Sequence, residues 1–283
     1  FASSVQKVYE FFFKKIFQNI VSKNFSDNLV FSGGCALNST ANKILTDNQN
    51  LFKKTFINYA PGDNGGAIGA ALVVAAKTGK IKNSANPYLG NEYTNEEILK
   101  TLNDDNYNNK LHYELIDNQT KLIKLVAELI SKGNIIGWFQ GKMEFGPRAL
   151  GNRSILADPR NPKMKDIINL KVKRRESFRP FAPVVLKEYQ NEWFESDYFN
   201  SYMCSVAEVK KNKKVLVPAI THIDNTARVQ STNEEINKKL SLLLKEFYNI
   251  TKIPVVINTS MNVMGEPIVN TPKEAYNMIL KTD

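Results

Sequence analysis

Arginines placed among glycines, prolines and β-prone runs are the clearest chemical signal in this sequence. Arg148 follows Gly146-Pro147, just after the short apolar run 135–139. Three later segments have the same form, a β-prone run beside a turn that carries Arg, Lys, Ser, Thr or Asn. They are NLKVKRRESFRPFAPVVL (169–186), ITHIDNTARVQ (220–230) and VVINTSMNVMGEPI (255–268). A guanidinium offers paired, planar donors that match the oxygens of phosphate and carboxylate groups.

Convergence of these turns would create a pocket for a phosphorylated or carboxylated small molecule. The candidate side chains are those of Arg148, Lys173, Arg179, Arg228 and Ser260. The alternative is that each arginine ties its loop to an acidic residue such as Glu144, Glu176 or Asp224. The apolar context of FRPFAPVVL favours the pocket, because arginine and proline inside an apolar run are hard to explain as solvated surface.

Metal and nucleophile chemistry are weakly indicated by comparison. His112 and His222 lack the paired spacing of a zinc or iron site. Ser260 has no His–Asp pair near it in sequence, which argues against a hydrolase triad. Cys35 lies beside a glycine turn, and we interpret it as a small buried apolar residue and not as a nucleophile.

Two strand–glycine–helix units near the beginning of the chain indicate an α/β fold. SGGCALNST (32–40) follows one short apolar run, and PGDNGGAIGAAL (61–72) follows another. Glycines at the carboxyl end of a strand let backbone amides approach a phosphate. By themselves these glycines do not establish nucleotide binding, since tight-turn packing also explains them.

The charge balance points to a polyanionic partner. The chain has 283 residues, with 38 Lys and Arg against 28 Asp and Glu, for a net charge of +10. Nucleic acid, a phosphate-bearing substrate or simply a basic surface would fit that balance. Two cysteines cannot form a disulfide framework, and no run of about 18 apolar residues predicts a membrane span. We therefore expect a cytoplasmic protein with no membrane partner.

The hydrophobic pattern predicts two α/β units joined by a polar linker at 80–112. Predicted strands are 29–31, 56–60, 135–139, 182–186, 202–209 and 254–258. Predicted helices are the first segment, with Val5, Val8, Phe12 and Ile16 on its apolar face, then a helix from Asn38, 64–78, 96–102, 119–131, 233–249 and a helix from Pro272. The chain starts at Phe1 directly in a helix, so we expect it to be a piece of a longer protein.

Together these segments resemble the O-carbamoyltransferase family, which includes nodulation protein U and the cephamycin and tobramycin carbamoyltransferases. The resemblance runs from about Val5 to Ala275 and rests on motifs that occur in family order. They are GGCALNSTANKIL, PGDNGGAIGAAL, GKMEFGPRALGNRSILADPR, RESFRPFAPVVL, THIDNTARVQ and NTSMNVMGEPIVNTP. The sequence departs from the family at Lys142, Asn225 and Met261, where Arg, Gly and Phe are usual.

The resemblance implies a fold and a domain order. Residues 1–85 resemble the end of an actin/Hsp70-like (ASKHA, Kae-type) transfer domain, 86–112 would be a linker, and 113–283 resemble a YrdC-like α/β domain with a twisted mixed sheet. In the family, an amino-terminal half carries an HxxxH pair that holds an iron-type divalent metal together with an aspartate. Asp63 matches that aspartate and the histidine pair has no counterpart, so this chain alone is not expected to hold the metal well.

The resemblance also implies the chemistry. The YrdC-like domain would make carbamoyl-adenylate from carbamoyl phosphate and ATP, and the other domain would pass the carbamoyl group to a hydroxyl of a sugar, antibiotic or similar small-molecule acceptor. The residues implied for the anionic substrates are Arg148, Lys173, Arg179, Arg228, Asn258 and Ser260, with Lys171 and Arg153 as second choices. Those implied for the nucleotide of the first domain are Gly33, Gly34, Asn38, Gly65 and Gly66.

Two alternatives stay open at the level of sequence. One is synthesis of threonylcarbamoyl-adenylate from bicarbonate and threonine, although the motifs favour carbamoyl phosphate. The other is RNA binding through the basic surface. RNA binding is disfavoured because the arginines lie in apolar motifs and are not interleaved with exposed aromatic residues, as they are in single-strand binders.

Overall fold

The computed structural model describes residues 1–47, 51–79, 86–104 and 112–282, and its fold is mixed α/β. The helices are α1 (Ala2–Ser22), α2 (Ser39–Thr46), α3 (Gly65–Lys77), α4 (Asn95–Leu102), α5 (Gln119–Ser131), α6 (Met164–Ile167), α7 (Gln190–Trp193), α8 (Lys238–Thr251) and α9 (Pro272–Lys281). The strands are β1 (Asn28–Phe31), β2 (Lys54–Ile57), β3 (Ile136–Phe139), β4 (Arg153–Ala157), β5 (Ala182–Leu186), β6 (Phe194–Glu195), β7 (Ala207–Val209), β8 (Thr226–Ala227), β9 (Gln230–Thr232) and β10 (Val255–Ser260). No helix in these ranges is both long and apolar enough to cross a membrane.

Residues 1–79, the first unit, are built around the parallel pair β1–β2. α1 packs on this pair through Phe13 and Phe17, whose rings meet Phe31 edge to face with centroids 5.6 and 5.4 Å apart. The apolar face predicted for α1 is wrong, because its four residues are exposed: Val5, Val8, Phe12 and Ile16. The helix has apolar residues on more than one side, and the strands cover the side that carries Phe13 and Phe17.

Residues 112–282, the second unit, contain a five-stranded sheet of order β3-β4-β10-β5-β9. β5 and β9 are parallel and the other neighbours are antiparallel, which confirms the predicted mixed sheet. α5 and α8 pack against each other and against the sheet, with Ile130 and Phe247 fully buried between them. A smaller antiparallel sheet of order β6-β7-β8 completes this unit.

One polar face of α2 joins the first unit to residues 204–208 of the second. Four contacts lie along it: the Ser39 carbonyl accepts from the Val206 N–H (3.2 Å), Asn42 Nδ2 donates to the Cys204 carbonyl (2.7 Å), Lys43 Nζ donates to Glu208 Oε1 (3.1 Å), and the hydroxyls of Thr46 and Ser205 are 2.8 Å apart. Positions 39, 42, 43 and 46 share a helix face because residues three and four apart are neighbours. These contacts set the direction of α2 relative to the second unit.

Part of the segment predicted as a linker packs against the second unit. The Gly90 N–H donates to the Met143 carbonyl (2.9 Å), and the Tyr88 hydroxyl donates to the Leu150 carbonyl (3.1 Å). The predicted helix at 96–102 is confirmed as α4. Residues 80–85 and 105–111 of the predicted linker lie outside the described residues.

Three segments of the second unit differ from their predicted structure. β4 was not predicted, because it begins with the polar residues Arg153 and Ser154. In the structure all five of its residues are buried. Residues Ile168–Lys173, for which no helix or strand was predicted, form a π-helical turn that follows α6. Of the predicted strand at 202–209, only Ala207–Val209 pairs with other strands.

Candidate functional site

A cavity of about 370 Å³ lies where the first unit meets the second. Arg179 and Pro180 lead into β5, and Asn258 of β10 pairs with Ala182, so both strands bring side chains to one edge of the sheet. The polar lining consists of Arg148, Arg175, Arg179, His222, Asp224, Thr226, Arg228, Asn258, Thr259 and Ser260 from the second unit, and Ser39 and Thr40 from the first. The structure thus brings together every residue implied for the anionic substrates except Lys173.

Four arginines give this cavity its charge: Arg148, Arg175, Arg179 and Arg228. Arg179 has a carboxylate nearby, 3.9 Å away on Glu176. Within the described ranges the other three arginines form no ion pair. Burial lowers the pKa of Arg148, and burial together with the neighbouring charge of Arg148 lowers the pKa of Arg228 to about 9. Adjacent cations without a counter-charge are unfavourable when partly buried, so a bound anion would stabilise them.

Two polar atoms of the lining are buried without a hydrogen-bond partner among the described residues, Nε of Arg228 and Oδ1 of Asn258. The other amide atom of Asn258 is occupied, because Nδ2 donates to Gln230 Oε1 (2.6 Å). Gln230 Nε2 donates in turn to the Leu150 carbonyl (2.8 Å), and this backbone acceptor sets the orientation of both amides. A buried polar atom without a partner loses a hydrogen bond, and a ligand at this edge of the sheet would restore it.

Lys173 lies behind the cavity and holds Ser260. Its Nζ contacts the Ser260 carbonyl and donates to Asn262 Oδ1 (2.7 Å) and Ser260 Oγ (3.2 Å). Burial, and the positive charges of Arg175 and Arg179, lower the pKa of Lys173 to about 7. Lys173 therefore positions a lining residue instead of facing the cavity itself.

Several lining residues are absent from the predicted set. Thr226 Oγ1 donates to Asp224 Oδ1 (2.7 Å) and lies 3.2 Å from Nδ1 of His222. Burial lowers the pKa of His222, which favours the neutral imidazole. His222, Asp224 and Thr226 all lie in the THIDNT part of a motif that the sequence analysis had selected. Arg175 likewise lies in the same RESFRP motif as Arg179.

The alternative that arginines tie loops to acidic residues applies to Arg179, which lies 3.9 Å from Glu176, and to Arg160, which is outside the cavity lining. Arg160 donates to Asp158 Oδ2 through Nε (2.9 Å). Glu144, in contrast, accepts from backbone N–H groups, those of Leu150 (2.7 Å) and Asn152 (2.6 Å). The nearest acidic residue in sequence is therefore not the partner of Arg148.

The two second choices do not line the cavity. Arg153 is fully buried, and its guanidinium lies 3.6 Å from the ring centre of Phe139. It donates to the carbonyl oxygens of Asn91, Gln140, Gly141 and Asn152. Arg153 is thus a structural residue, and Lys171 lies exposed on the π-helical turn.

The residues implied for the nucleotide of the first unit lie in one loop and at the start of α3, close to each other in space. Gly33 has φ 103°, which favours glycine, and its N–H donates to the Pro61 carbonyl (2.6 Å). Gly34 faces open space, and Asn38 caps α2 by accepting from the Ala41 N–H (3.1 Å). Cys35 in the same loop is exposed, so the prediction that it is buried is wrong. Its short 3-10 helix turns Ala36 inward and not Cys35.

Asp63 lies in a second loop, and Gly65 and Gly66 are the first two residues of α3, which follows it. Asp63 is exposed, and Asn64 caps α3 by accepting from the Gly65 N–H (3.1 Å). Asp63 is therefore free to act as a ligand. In the part of the chain that the structure describes, however, no three His, Cys, Asp or Glu side chains gather to hold a metal ion. The residues present do not fit an iron-type centre by themselves.

Comparison with known proteins identifies the family. A family model described as Carbamoyltransferase C-terminus matches residues 127–283, and one described as Carbamoyltransferase N-terminus matches residues 1–72. The chain is 40% identical over 309 residues to an uncharacterised protein of Synechocystis sp., covering 100% of this chain and 50% of that protein. It is 39% identical to nodulation protein NolNO of Sinorhizobium fredii (90% of this chain, 38% of that protein). It is 35% identical to nodulation protein U of Azorhizobium caulinodans (86% and 41%).

The chain spans about half the length of these curated relatives, or less. Among solved structures, full-length HypF in a phosphate- and nucleotide-bound form is similar, with a TM-score of 0.44 and 18% identity over 61% of this chain and 21% of that one. A structural similarity at this level carries no argument about ligands. The sequence matches establish the family, because the carboxy-terminal family model alone covers more than half of this chain. The chain belongs to the carbamoyltransferase family.

Proposed function

We propose that this chain is part of an O-carbamoyltransferase whose arginine cavity binds carbamoyl phosphate and ATP. The observation that carries the proposal is the pair Arg148 and Arg228, close together, partly buried and without a carboxylate partner among the described residues. Carbamoyl phosphate is a dianion and ATP a polyanion, so holding both in one place requires several cations. A cavity of about 370 Å³ falls within the size range of small-molecule sites.

The proposed reaction converts carbamoyl phosphate, ATP and water into carbamoyl-adenylate, pyrophosphate and inorganic phosphate. Carbamoyl phosphate is cleaved to carbamate and phosphate, and a carbamate oxygen then displaces pyrophosphate at the α-phosphorus of ATP. Arg148 and Arg228 would hold phosphate oxygens and stabilise the charge that develops on the leaving groups. The free Oδ1 of Asn258 would accept from the carbamoyl N–H, a donor that a simple acyl phosphate lacks.

The second step of the proposal is transfer of the carbamoyl group to a hydroxyl of a sugar, antibiotic or similar acceptor. It is supported by membership of the carbamoyltransferase family and by the relatives named as nodulation proteins. We place both steps in the cytoplasm, in keeping with two cysteines that form no disulfide.

The substitution Arg148→Lys tests the substrate-binding role, because lysine keeps the charge and loses the paired geometry of the guanidinium. A charge-assisted contact to phosphate is worth about 1.5–3 kcal/mol. We therefore expect carbamoyl-phosphate-dependent pyrophosphate release by the full-length protein to fall about tenfold or more. The melting temperature should stay near that of the wild type, because Arg148 forms no ion pair with any residue that the structure describes.

Arg160→Lys is the matched control, since Arg160 is bonded to Asp158 and does not line the cavity. It should lower the melting temperature and leave the rate per folded molecule intact. If Arg148→Lys behaved as expected of this control, with lost stability and normal turnover, Arg148 would be a structural residue and the proposal would lose its main support.

Two measurements separate the proposal from its alternatives: an assay with other substrates and a tRNA-binding titration. Pyrophosphate release with bicarbonate and threonine, and none with carbamoyl phosphate, would make the protein a threonylcarbamoyl-adenylate synthase. Tight tRNA binding at physiological salt, with a steep fall in affinity as salt rises, would favour an RNA-binding role.

A further inference from the structure

The amino-terminal end of α2 is the part of the first unit that reaches the arginine cavity. Ser39 and Thr40, the first two residues of the helix, line that cavity. Neither hydroxyl forms a hydrogen bond to any residue that the structure describes, and neither do their backbone N–H groups. The first N–H groups of a helix have no partner within the helix, so these donors are available to a ligand.

The direction of this helix end is set by the second unit. Asn42 and Thr46, one and two turns further along, are bonded to residues 204–205, and the Ser39 carbonyl itself accepts from Val206. Met203, directly before this segment, and Val206 within it also line the cavity. These hydrogen bonds therefore hold α2 with its amino-terminal end toward the arginines.

We propose that the end of α2 forms the second wall of this anion site and binds a phosphoryl group opposite the arginines. Each unit would then supply part of one site. The inference rests on the proposed function, because it takes the cavity to bind phosphorylated substrates. A helix amino terminus favours anions through its free N–H groups and its partial positive charge.

Independent support comes from the second unit. Asn258 belongs to the cavity lining and is 1% exposed, and its Oδ1 is buried without a partner among the described residues. The Nε of Arg228 is likewise buried and unpartnered there. Asp224 is the acidic side chain in the lining, and its carboxylate already accepts from the hydroxyl and the N–H of Thr226. The groups without a partner among the described residues are thus Arg148, Arg228, the helix end and an amide oxygen. Together they match a phosphoryl compound that also carries an N–H donor.

The substitution Thr40→Glu separates helix stability from anion binding. A carboxylate in the first turn stabilises a helix, so the melting temperature should hold or rise. The same carboxylate would occupy the proposed phosphoryl position, and we expect the affinity for inorganic pyrophosphate to fall at least about tenfold by calorimetry at about 150 mM salt. Thr40→Val, which removes the hydroxyl without adding charge, should weaken binding by about threefold or more.

Thr120→Glu is the matched control. α5 has the same construction as α2, with an Asn cap that accepts from the third residue and a Thr at the second, and Thr120 does not line the cavity. The control should bind pyrophosphate like the wild type. A second probe, phosphonoacetamide, stands in for carbamoyl phosphate. Affinity lost for pyrophosphate alone assigns the α2 group to the nucleotide, and affinity lost for phosphonoacetamide alone assigns it to carbamoyl phosphate.

Wild-type affinity of Thr40→Glu and Thr40→Val for both probes would overturn the inference. If Arg148→Lys weakened binding in the same titrations, the proposed function would survive that result. If the wild-type chain bound neither probe, both the inference and the proposed function would be wrong. Equal losses in Thr40→Glu and Thr120→Glu would also overturn the inference, since the effect would then be one of net charge.

Discussion

Buried cations in this protein fall into two kinds, and hydrogen bonds distinguish them. Arg153 has four carbonyl partners and an aromatic ring, so its charge is part of the core. Arg148 and Arg228 have no such partners among the described residues and line a cavity. Lys173 lies between these cases, because it has oxygen partners and yet burial lowers its pKa to about 7.

The lowered pKa of Lys173 predicts a pH dependence of stability. Its folded-state pKa of about 7 lies below the ordinary 10.5, so the unfolded chain binds more protons between these values and stability rises with pH there. From pH 7 to pH 9 the wild type should gain about 2 kcal/mol in unfolding free energy relative to Lys173→Met. Denaturant unfolding of both proteins at the two pH values measures this difference. Curves that shift in parallel would show that Lys173 is charged throughout.

At the scale of the element, the first turn of α3 contains two glycines with different roles. A Cβ on Gly65 would overlap the Ala60 carbonyl, whereas one on Gly66 meets open space. We expect Gly65→Ala to destabilise the protein by about 1–3 kcal/mol. Gly66→Ala should be neutral or stabilising by up to about 1 kcal/mol, because alanine is the better helix former.

Melting temperatures of the two variants, with an ATP titration on each, test this assignment. Unchanged stability of Gly65→Ala would contradict the close approach of the two backbone segments. Loss of ATP affinity in the stable variant Gly66→Ala would support backbone contact with a nucleotide at Gly66. Unchanged ATP affinity would remove Gly66 from the nucleotide site.

At the scale of the whole molecule, the polar face of α2 should couple the unfolding of the two units. Asn42 is fully buried and donates to the carbonyls of Ala36 (2.8 Å) and Cys204 (2.7 Å). Asn42→Ala leaves both acceptors unpaired, at a cost of about 1–3 kcal/mol. We expect the first unit to unfold earlier in this variant, while the second unit changes little.

Two optical signals separate the units in that experiment. Both tryptophans, Trp138 and Trp193, lie in the second unit, so their fluorescence reports it alone, while far-ultraviolet circular dichroism reports both units. The two transitions should coincide in the wild type and separate in Asn42→Ala. Coincident transitions in the variant would mean that other contacts couple the units.

The sequence by itself determined the family, the α/β class and most regular elements. β5 and α5 were predictable because an unbroken apolar run and a 3.6-residue period are local patterns that burial imposes on any chain. The motif order identified the family, and it also picked out Arg148, Arg179 and Arg228 before their positions were known. These conclusions depend only on residues close together in the chain.

Tertiary structure alone decided which charged residues face the cavity. Arg148 and Arg153 lie five positions apart in one motif, yet Arg153 is structural because carbonyls as distant as that of Asn91 converge on it. Ser39 and Thr40 join the arginines from more than a hundred positions away, through a helix face bonded to residues 204–208. Partners that come from distant segments leave no local pattern, since each segment alone is compatible with several surroundings, and only packing selects one.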